Sequence, residues 1–537
     1  MKDMFRESMR WLHTWSGLVL GWVLFFMFIT GTVGYFSYEI DRWMQPEAPY
    51  ASNTSDQVHL LSLAKQRLDL VAPDAIYSSV NFPVDRYSFL RINWENPSNK
   101  ITGEKGERGR EILNPQTGEP VVVRKTGGGT LLYRMHYALH YMPRIVAYWI
   151  TSLCAMFMFI ALITGIVIHI RIFKDFFTFQ PNKQQRSWLD MHNLMSVLPL
   201  PFHLMITYSG LIFLMFTTMP GILTASYGDD DDAFFDSAFP LTTQQEASGV
   251  YAQSIDLSTV LVSAQQHFNQ SQVRYIRIQN QNDTHAQVEV APRGFDGLSR
   301  ANTLVYQGVS GELLSTPNSK NDQSESGSAF VSLYDALLNL HEGLFAPTIL
   351  RWIYFLSGLA GAGMIATGMI LWASKRRKKA QKSGQVSKGL VLVEHLNVGT
   401  IVGLPIAIAA YFWANRLIPI HLVGRENWEI NTLFIVWAIM PVYSFLFAKK
   451  RPLSKVWAEQ LALAALMYLC LPLLNLLTTS QHLGISFVQG DWIMAGFDLT
   501  MIVLGTLFAI AAFKMHRQQA QALSPTKNSA IKPALKI

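Results

Sequence analysis

Apolar segments long enough to cross a bilayer alternate along this chain with polar, turn-rich stretches, and that alternation predicts its organisation. The first run, LHTWSGLVLGWVLFFMFITGTVGYFSY, holds no Asp, Glu, Lys or Arg and predicts a span within residues 1–39. Residues 40–130 are polar, with an amphipathic run HLLSLAKQRLDL followed by alternating segments SSVNF, YSFLRINW and REILN. That pattern predicts a small α+β module. A second span is expected over 131–171, a basic loop over 172–189, a third span over 190–227 and a second polar module over 228–330. The second module repeats the formula with DLSTVLVSAQQHF, VRYIRI and AQVEV. A fourth span over 331–374 runs into KRRKKAQK, the basic loop at 375–389. Apolar segments near 390–414, 430–448, 458–478 and 492–513 place four additional helices in 390–515, before a basic tail over 516–537. The expected fold class is an all-α polytopic membrane bundle of about eight spans, with two small α+β modules outside it.

The first four spans read as a repeat. Placing His13 on His192 also places Thr30-Gly31 on Ser209-Gly210, and Leu132-Tyr133…His140 matches Leu333-Tyr334…His341. Two copies of helix, module, helix in the same orientation imply a pseudo-two-fold axis along the membrane normal. His13 and His192 are then expected to face each other near one side, and His140 and His341 near the other. His136, His169 and His203 find no mate in the other copy.

Composition agrees with a membrane chain: half of the 537 residues are hydrophobic and only 15% are charged. The formal charge of +7 gathers in short loops, which sets orientation and requires no nucleic acid. The basic flanks predict N- and C-termini in the cytoplasm, a first helix that is retained, and modules on the far side. The two cysteines, Cys154 and Cys470, lie in apolar segments and exclude a C-x-x-C-H attachment, so a haem would be held by coordination alone.

Candidate chemistry sits at 165–220, GIVIHIRIFKDFFTFQPNKQQRSWLDMHNLMSVLPLPFHLMITYSGLIFLMFTTMP, where His169, His192 and His203 lie on apolar segments. Ionisable side chains at membrane depth are functional hypotheses by default. Eleven residues bring His192 and His203 back to nearly the same face of one helix, roughly 16 Å apart along its axis. That geometry suits two flat cofactors stacked through the bilayer, and haem fits it. The plainer alternative is polar residues bonded within the bundle. His136 and His140, four apart, share a helical face; zinc would need a further carboxylate or thiolate that the motif lacks. Arg134, Arg144 and Arg351 on one side, and Arg6, Arg10, Arg171 and Arg186 on the other, are candidate clamps for haem propionates, or ordinary snorkelling arginines. Glu394, His395 and Asp498 suit a proton path or quinone pocket, or bundle packing. The acidic run at 229–232 suits a cation or, more simply, a solvated loop; His267 and His285 are read as surface residues, and His421, His482 and His516 as loop or tail residues.

LHTWSGLVLG, the His…Thr-Gly spacing, IHIRIFKDFFTFQP, RSWLDMHN, LPFHLMITYSG and NLHEGLF together resemble the PepSY-associated transmembrane proteins, also labelled iron-regulated membrane proteins, and within them the di-haem ferric-siderophore reductases. The resemblance covers about residues 1–380. It implies a bacterial inner (cytoplasmic) membrane protein with two PepSY-like periplasmic modules and two b-type haems. It also implies reduction of a ferric siderophore, or another periplasmic iron(III) complex, to release iron(II). The matching ligand candidates are His13, His169, His192 and His203 in the helical core, with His136, His140 and His341 at the periplasmic approach. No G-x-G-x-x-G fingerprint follows a strand, so a membrane quinol or a separate cytoplasmic reductase is the expected donor. The final four spans lie outside the pattern. Two other readings remain open from sequence: a siderophore or iron transporter, and a peptide- or protease-binding anchor without redox activity.

Overall fold

The computed structural model describes residues 2–50, 56–84, 86–98, 106–169, 185–228, 246–294, 303–315, 325–448 and 450–523. Arg171, the acidic run at 229–232, most of the basic loop after His169 and the last part of the tail lie outside the described residues. The fold is mostly helical. Among the described residues, six helices are long and apolar enough to cross a membrane, or up to eight if each of two bent helix pairs is one span.

Two compact units divide the chain, residues 1–365 and 366–537. In the first, α1 (Lys2–Val19) and α2 (Gly21–Gly34) form a broken helix bent by 66°. Gly17 and Gly21 weaken the helix around Leu20, which sits at φ −106°, ψ 0°. Next come α3 (Ser37–Met44), α4 (Gln57–Val71), α5 (Gly128–Ala138) and α6 (Arg144–Ile168). The second copy repeats the break: α7 (Gln185–Val197) and α8 (Leu200–Phe213) meet at 64°. Here Pro199 and Pro201 remove backbone donors and force the chain out of the helical ladder. The single straight helix expected to carry both His192 and His203 is therefore two helices. The 16 Å stacking argument, which needs one continuous axis, does not apply.

Short helices α9 (Met215–Thr218) and α10 (Pro220–Tyr227) follow, then α11 (Leu257–His267), α12 (Glu325–Glu342) and the 36-residue α13 (Thr348–Ser383), which runs out of this unit. The polar stretches do not fold as two separate sheets. Strands β1 (Tyr77–Asn81), β2 (Leu90–Glu95), β3 (Arg108–Leu113) and β4 (Pro120–Val121) join β5 (Val273–Gln279), β6 (Gln287–Pro292), β7 (Leu304–Gln307) and β8 (Leu313–Ser315) in one antiparallel sheet, ordered β4-β3-β2-β1-β5-β6-β7-β8. The central pair sets Val80 opposite Ile276 and Tyr77 opposite Gln279, so the first strand of each polar stretch covers the other's edge.

Period-two alternation puts Val80, Ile92, Ile276, Val288 and Val290 on one face, against Leu61, Ala64 and Leu68 of α4 and Leu257, Leu261 and Ala264 of α11. Gln57, buried at the start of α4, bridges the two halves. Its Nε2 donates to the Val273 carbonyl at 2.6 Å, and its Oε1 accepts from the Val273 amide at 2.9 Å and from Gln265 Nε2 at 3.0 Å.

The second unit holds the end of α13, then α14 (Lys388–Ile401), α15 (Gly403–Leu417), α16 (Arg425–Phe447), α17 (Leu453–Leu469), α18 (Leu471–Thr478), α19 (Leu483–Gln489) and α20 (Trp492–Leu523). Several of its ionisable groups are partnered internally. Arg377 pairs with Glu394, His395 Nδ1 meets Ser444 Oγ at 2.7 Å, and Asp498 Oδ2 accepts from Asn475 Nδ2 at 3.2 Å. Arg425 pairs with Glu429, which also accepts from Asn415 Nδ2 at 2.8 Å. These contacts bind helix to helix in a medium where an unmatched charge is costly.

Candidate functional site: two facing histidine pairs

The bends and the repeat bring four histidines together in two pairs. His13 of α1 faces His192 of α7, with ring centres 6.3 Å apart and planes at 78°. His136 of α5 faces His341 of α12, at 6.1 Å and 50°. Each ring is oriented through Nδ1. His13 Nδ1 lies 2.9 Å from the Ala161 carbonyl, His192 Nδ1 2.8 Å from that of Met364, and His136 Nδ1 2.7 Å from that of Met27. A carbonyl oxygen only accepts, so in each case Nδ1 carries the hydrogen and Nε2 keeps the lone pair. His341 Nδ1 is 2.7 Å from Ser209 Oγ. That hydroxyl donates to the Met205 carbonyl at 2.7 Å, so Ser209 accepts and His341 takes the same tautomer.

Glycines make room for the rings. A Cβ on Gly31 would stand 2.5 Å from His136 Nδ1, one on Gly165 3.4 Å from His13 Cε1, and one on Gly210 3.6 Å from His341 Cε1. Thr30-Gly31 and Ser209-Gly210, matched in the repeat, thus each border one ring of the second pair.

The sequence had set His140 against His341, and the structure corrects this. α5 ends at Ala138, Leu139 and Tyr141 take φ of +50° and +59°, and the His140 ring stacks edge-on against Tyr141 at 4.2 Å. The helix stops short of His140, so His136 and His140 share no helical face, and it is His136 that meets His341. His169 caps α6 near His13. His203 is fully buried and belongs to neither pair: its Nε2 donates to the Ser357 carbonyl at 3.1 Å, and its Nδ1 has no hydrogen-bond partner. Arg134 and Arg144 are exposed. Arg351 is buried and paired with Glu39, its Nε unpartnered.

A cavity of about 700 Å³ opens beside the second pair, lined by His136 and His341 and reaching Arg86 on the β1–β2 connection. At its rim Tyr133 donates to Glu342 at 2.5 Å, and Tyr35 donates to the His341 carbonyl at 3.1 Å. Arg86 shares Glu39 with Arg351, two cations on one carboxylate, and also donates to the Tyr35 carbonyl at 2.8 Å. Sequence reasoning missed Arg86, Glu39 and Glu342, and named Tyr133 only as a repeat match. Arg86 lies in a polar turn where hydropathy carries no signal, and Glu342, next to His341, was the one nearby cue.

Among the described residues no three His, Cys, Asp or Glu side chains gather as a metal site. Two facing imidazoles alone suit a group that brings its own equatorial ligands. A metal–nitrogen bond of about 2 Å on each side, plus the reach from ring nitrogen to ring centre, places two axial imidazoles with centres roughly 6 Å apart. Both pairs stand at that spacing.

Apolar helices and broken spans of this kind define a multi-pass membrane protein. The model of the PepSY-associated TM region matches residues 10–375, and the chain belongs to that family. No curated protein matches the chain.

Proposed function

We propose that this chain is a transmembrane di-haem b electron-transfer protein of the bacterial inner membrane that reduces a periplasmic iron(III) complex, a ferric siderophore, and so releases iron(II). The observation that carries the reading is the pair of histidine pairs at 6.3 and 6.1 Å, each ring oriented through Nδ1. Bound haem would supply reversible one-electron chemistry, and a haem held by two histidines would favour electron transfer over oxygen activation.

The chain's own residues hold and orient. His13 and His192 would ligate one haem, and His136 and His341 the other, with the backbone carbonyls and Ser209 fixing tautomer and ring plane. Arg86 and Arg351, set against the single carboxylate of Glu39, leave net positive charge suited to a propionate, and Arg351 Nε is available to it. In this reading the eight-stranded sheet with its two helices forms the two PepSY modules and faces the periplasm. The termini and the basic loop after Ser374 face the cytoplasm. Electrons enter from a membrane quinol or a separate cytoplasmic reductase. A siderophore binds iron(III) far more tightly than iron(II), so one electron frees the metal.

The test is the absorption spectrum of the purified full-length protein before and after dithionite. A reduced α-band, with loss of part of the haem in each of His192→Ala and His341→Ala, is expected. A colourless preparation from cells supplied with haem rules the reading out.

A further inference from the structure

His203 is the buried histidine that the two pairs leave over, and the repeat isolates it. The offset that sets His13 on His192 and Gly31 on Gly210 sets Leu24 on His203. The one that sets the Ala161 carbonyl on that of Met364, each holding a paired histidine, sets Cys154 on Ser357 and Met158 on Gly361. Leu24, Cys154 and Met158 are all buried and apolar, so the same helix crossing is made in the first copy without a polar ring. Packing therefore does not require an imidazole at 203.

The second copy is fitted to hold one. Gly361 gives the space: a Cβ there would stand 2.9 Å from His203 Nε2 and 2.3 Å from the Phe28 ring. Nε2–H is committed to the Ser357 carbonyl, which leaves the lone pair on Nδ1. That nitrogen is shut away from solvent with no partner. A buried acceptor left unmatched is costly and needs an explanation. The rings in contact with it are aromatic, Phe28 from α2 at 5.8 Å and Phe202 from α8 at 5.8 Å, and α13 contributes Ser357 and Gly361. Each of those residues is uncharged, so no carboxylate or cation among these contacts biases the imidazole.

We infer that His203 Nδ1 is the interior proton acceptor that takes up a proton when an electron is stored in the helical core. This rests on the di-haem reading. An electron placed in a low-dielectric interior adds a negative charge that a nearby proton offsets. The balance is simple: one electron from the quinol, or from dithionite in the test, reduces one bound iron(III) to iron(II). One proton from water then adds to Nδ1, and no bond to carbon is made or broken.

The experiment uses the full chain in lipid nanodiscs. Proton uptake on dithionite reduction is followed with a pH dye in weak buffer, and midpoint potentials are measured across pH, for the wild type, His203→Gln and His203→Leu. Glutamine keeps a donor for the Ser357 carbonyl but does not titrate, and leucine is what the first copy carries at this place. Wild-type uptake with a potential that falls as pH rises, and loss of both in the two variants at unchanged haem content, is expected. Uptake of the same size in the variants, or none in the wild type, overturns the inference. So does loss of haem from His203→Gln, since it would make His203 a holder of the cofactor. A protein that binds no haem fails the functional reading instead, and the spectrum tells the two failures apart.

Discussion

His136 and His341 stand with ring centres 6.1 Å apart, on helices that follow different polar stretches of the chain. Met27 on α2 and Ser209 on α8, the second halves of the two bent helix pairs, orient them through Nδ1 at the same 2.7 Å. Each ring is thus oriented from the second half of a bent helix pair, one by a backbone carbonyl and the other by a hydroxyl.

In the proposed di-haem protein, removing one ring should unload one position only. His341→Ala is expected to lower haem per chain by about half, since an axial ligand lost from one site leaves the other with both of its imidazoles. His13→Ala should do the same, and the double variant should be colourless. Pyridine haemochrome assay against protein concentration checks this. Full haem retention in His341→Ala would remove His341 from the ligand set.

The two glycines beside this pair separate a steric effect from a generic one. Alanine in a helix gains up to about 1 kcal/mol over glycine, so both Gly31→Ala and Gly210→Ala would stabilise if space allowed. At Gly210 the new methyl meets His341 at ordinary contact, 3.6 Å, whereas at Gly31 it lands 2.5 Å from His136 Nδ1. Overpacking of that kind costs roughly 1–3 kcal/mol, which outweighs the propensity gain. Gly31→Ala is expected to lower thermal stability and haem content, and Gly210→Ala to leave both nearly unchanged, as melting curves and absorbance ratios of the two variants would show.

Much of this arrangement is legible in the sequence, and the misses have physical causes. Hydropathy finds apolar helices because lipid demands them, and the His13 and His192 correspondence predicts a pair that the structure contains. Pairing His140 with His341 fails because sequence spacing assumes that α5 continues, while the chain leaves the helix at Leu139 with a positive φ. The break before His203 was written in Pro199 and Pro201, but its counterpart at Leu20 has only glycines beside it, a weaker signal. The alternating segments identify strands correctly. Nothing local tells that β1 pairs with β5, because edge pairing depends on a partner nearly two hundred residues away.

One side chain adds a link between the two halves of the sheet at the end of β5, beyond the β1 register. The Gln57 carboxamide satisfies both the amide and the carbonyl of Val273 and also receives Gln265. Gln57→Leu would strand these buried groups at a cost of about 1–3 kcal/mol. Gln57→Glu keeps the acceptor but loses the donor to the Val273 carbonyl, so it should fall between wild type and Leu. Hydrogen exchange at β1 and β5 reads this directly, and unchanged protection in Gln57→Leu would show that the strand ladder suffices alone.

Where α5 begins, Asp41 makes the stability of the exit from the first polar stretch depend on pH. Its Oδ1 accepts from the Gly129 amide at 2.8 Å and its Oδ2 from the Thr130 hydroxyl at 3.0 Å, while Gly128, at φ +61°, leaves no room there for a Cβ. Burial pushes the Asp41 carboxyl up to about 6, against the opposing pull of the hydrogen bonds from Thr130 and Gly129. The folded state therefore holds a proton that the unfolded chain has already released between the ordinary carboxylate range and that value. Stability from this group is full below that range and is lost as pH rises through about 6. Asp41→Asn, uncharged at every pH, should remove this component, so that between about pH 4 and about pH 7 its melting temperature falls less than that of the wild type. Parallel melting curves for the two proteins across that window would mean that the carboxylate is ionised in the fold throughout, and that its hydrogen bonds outweigh its burial.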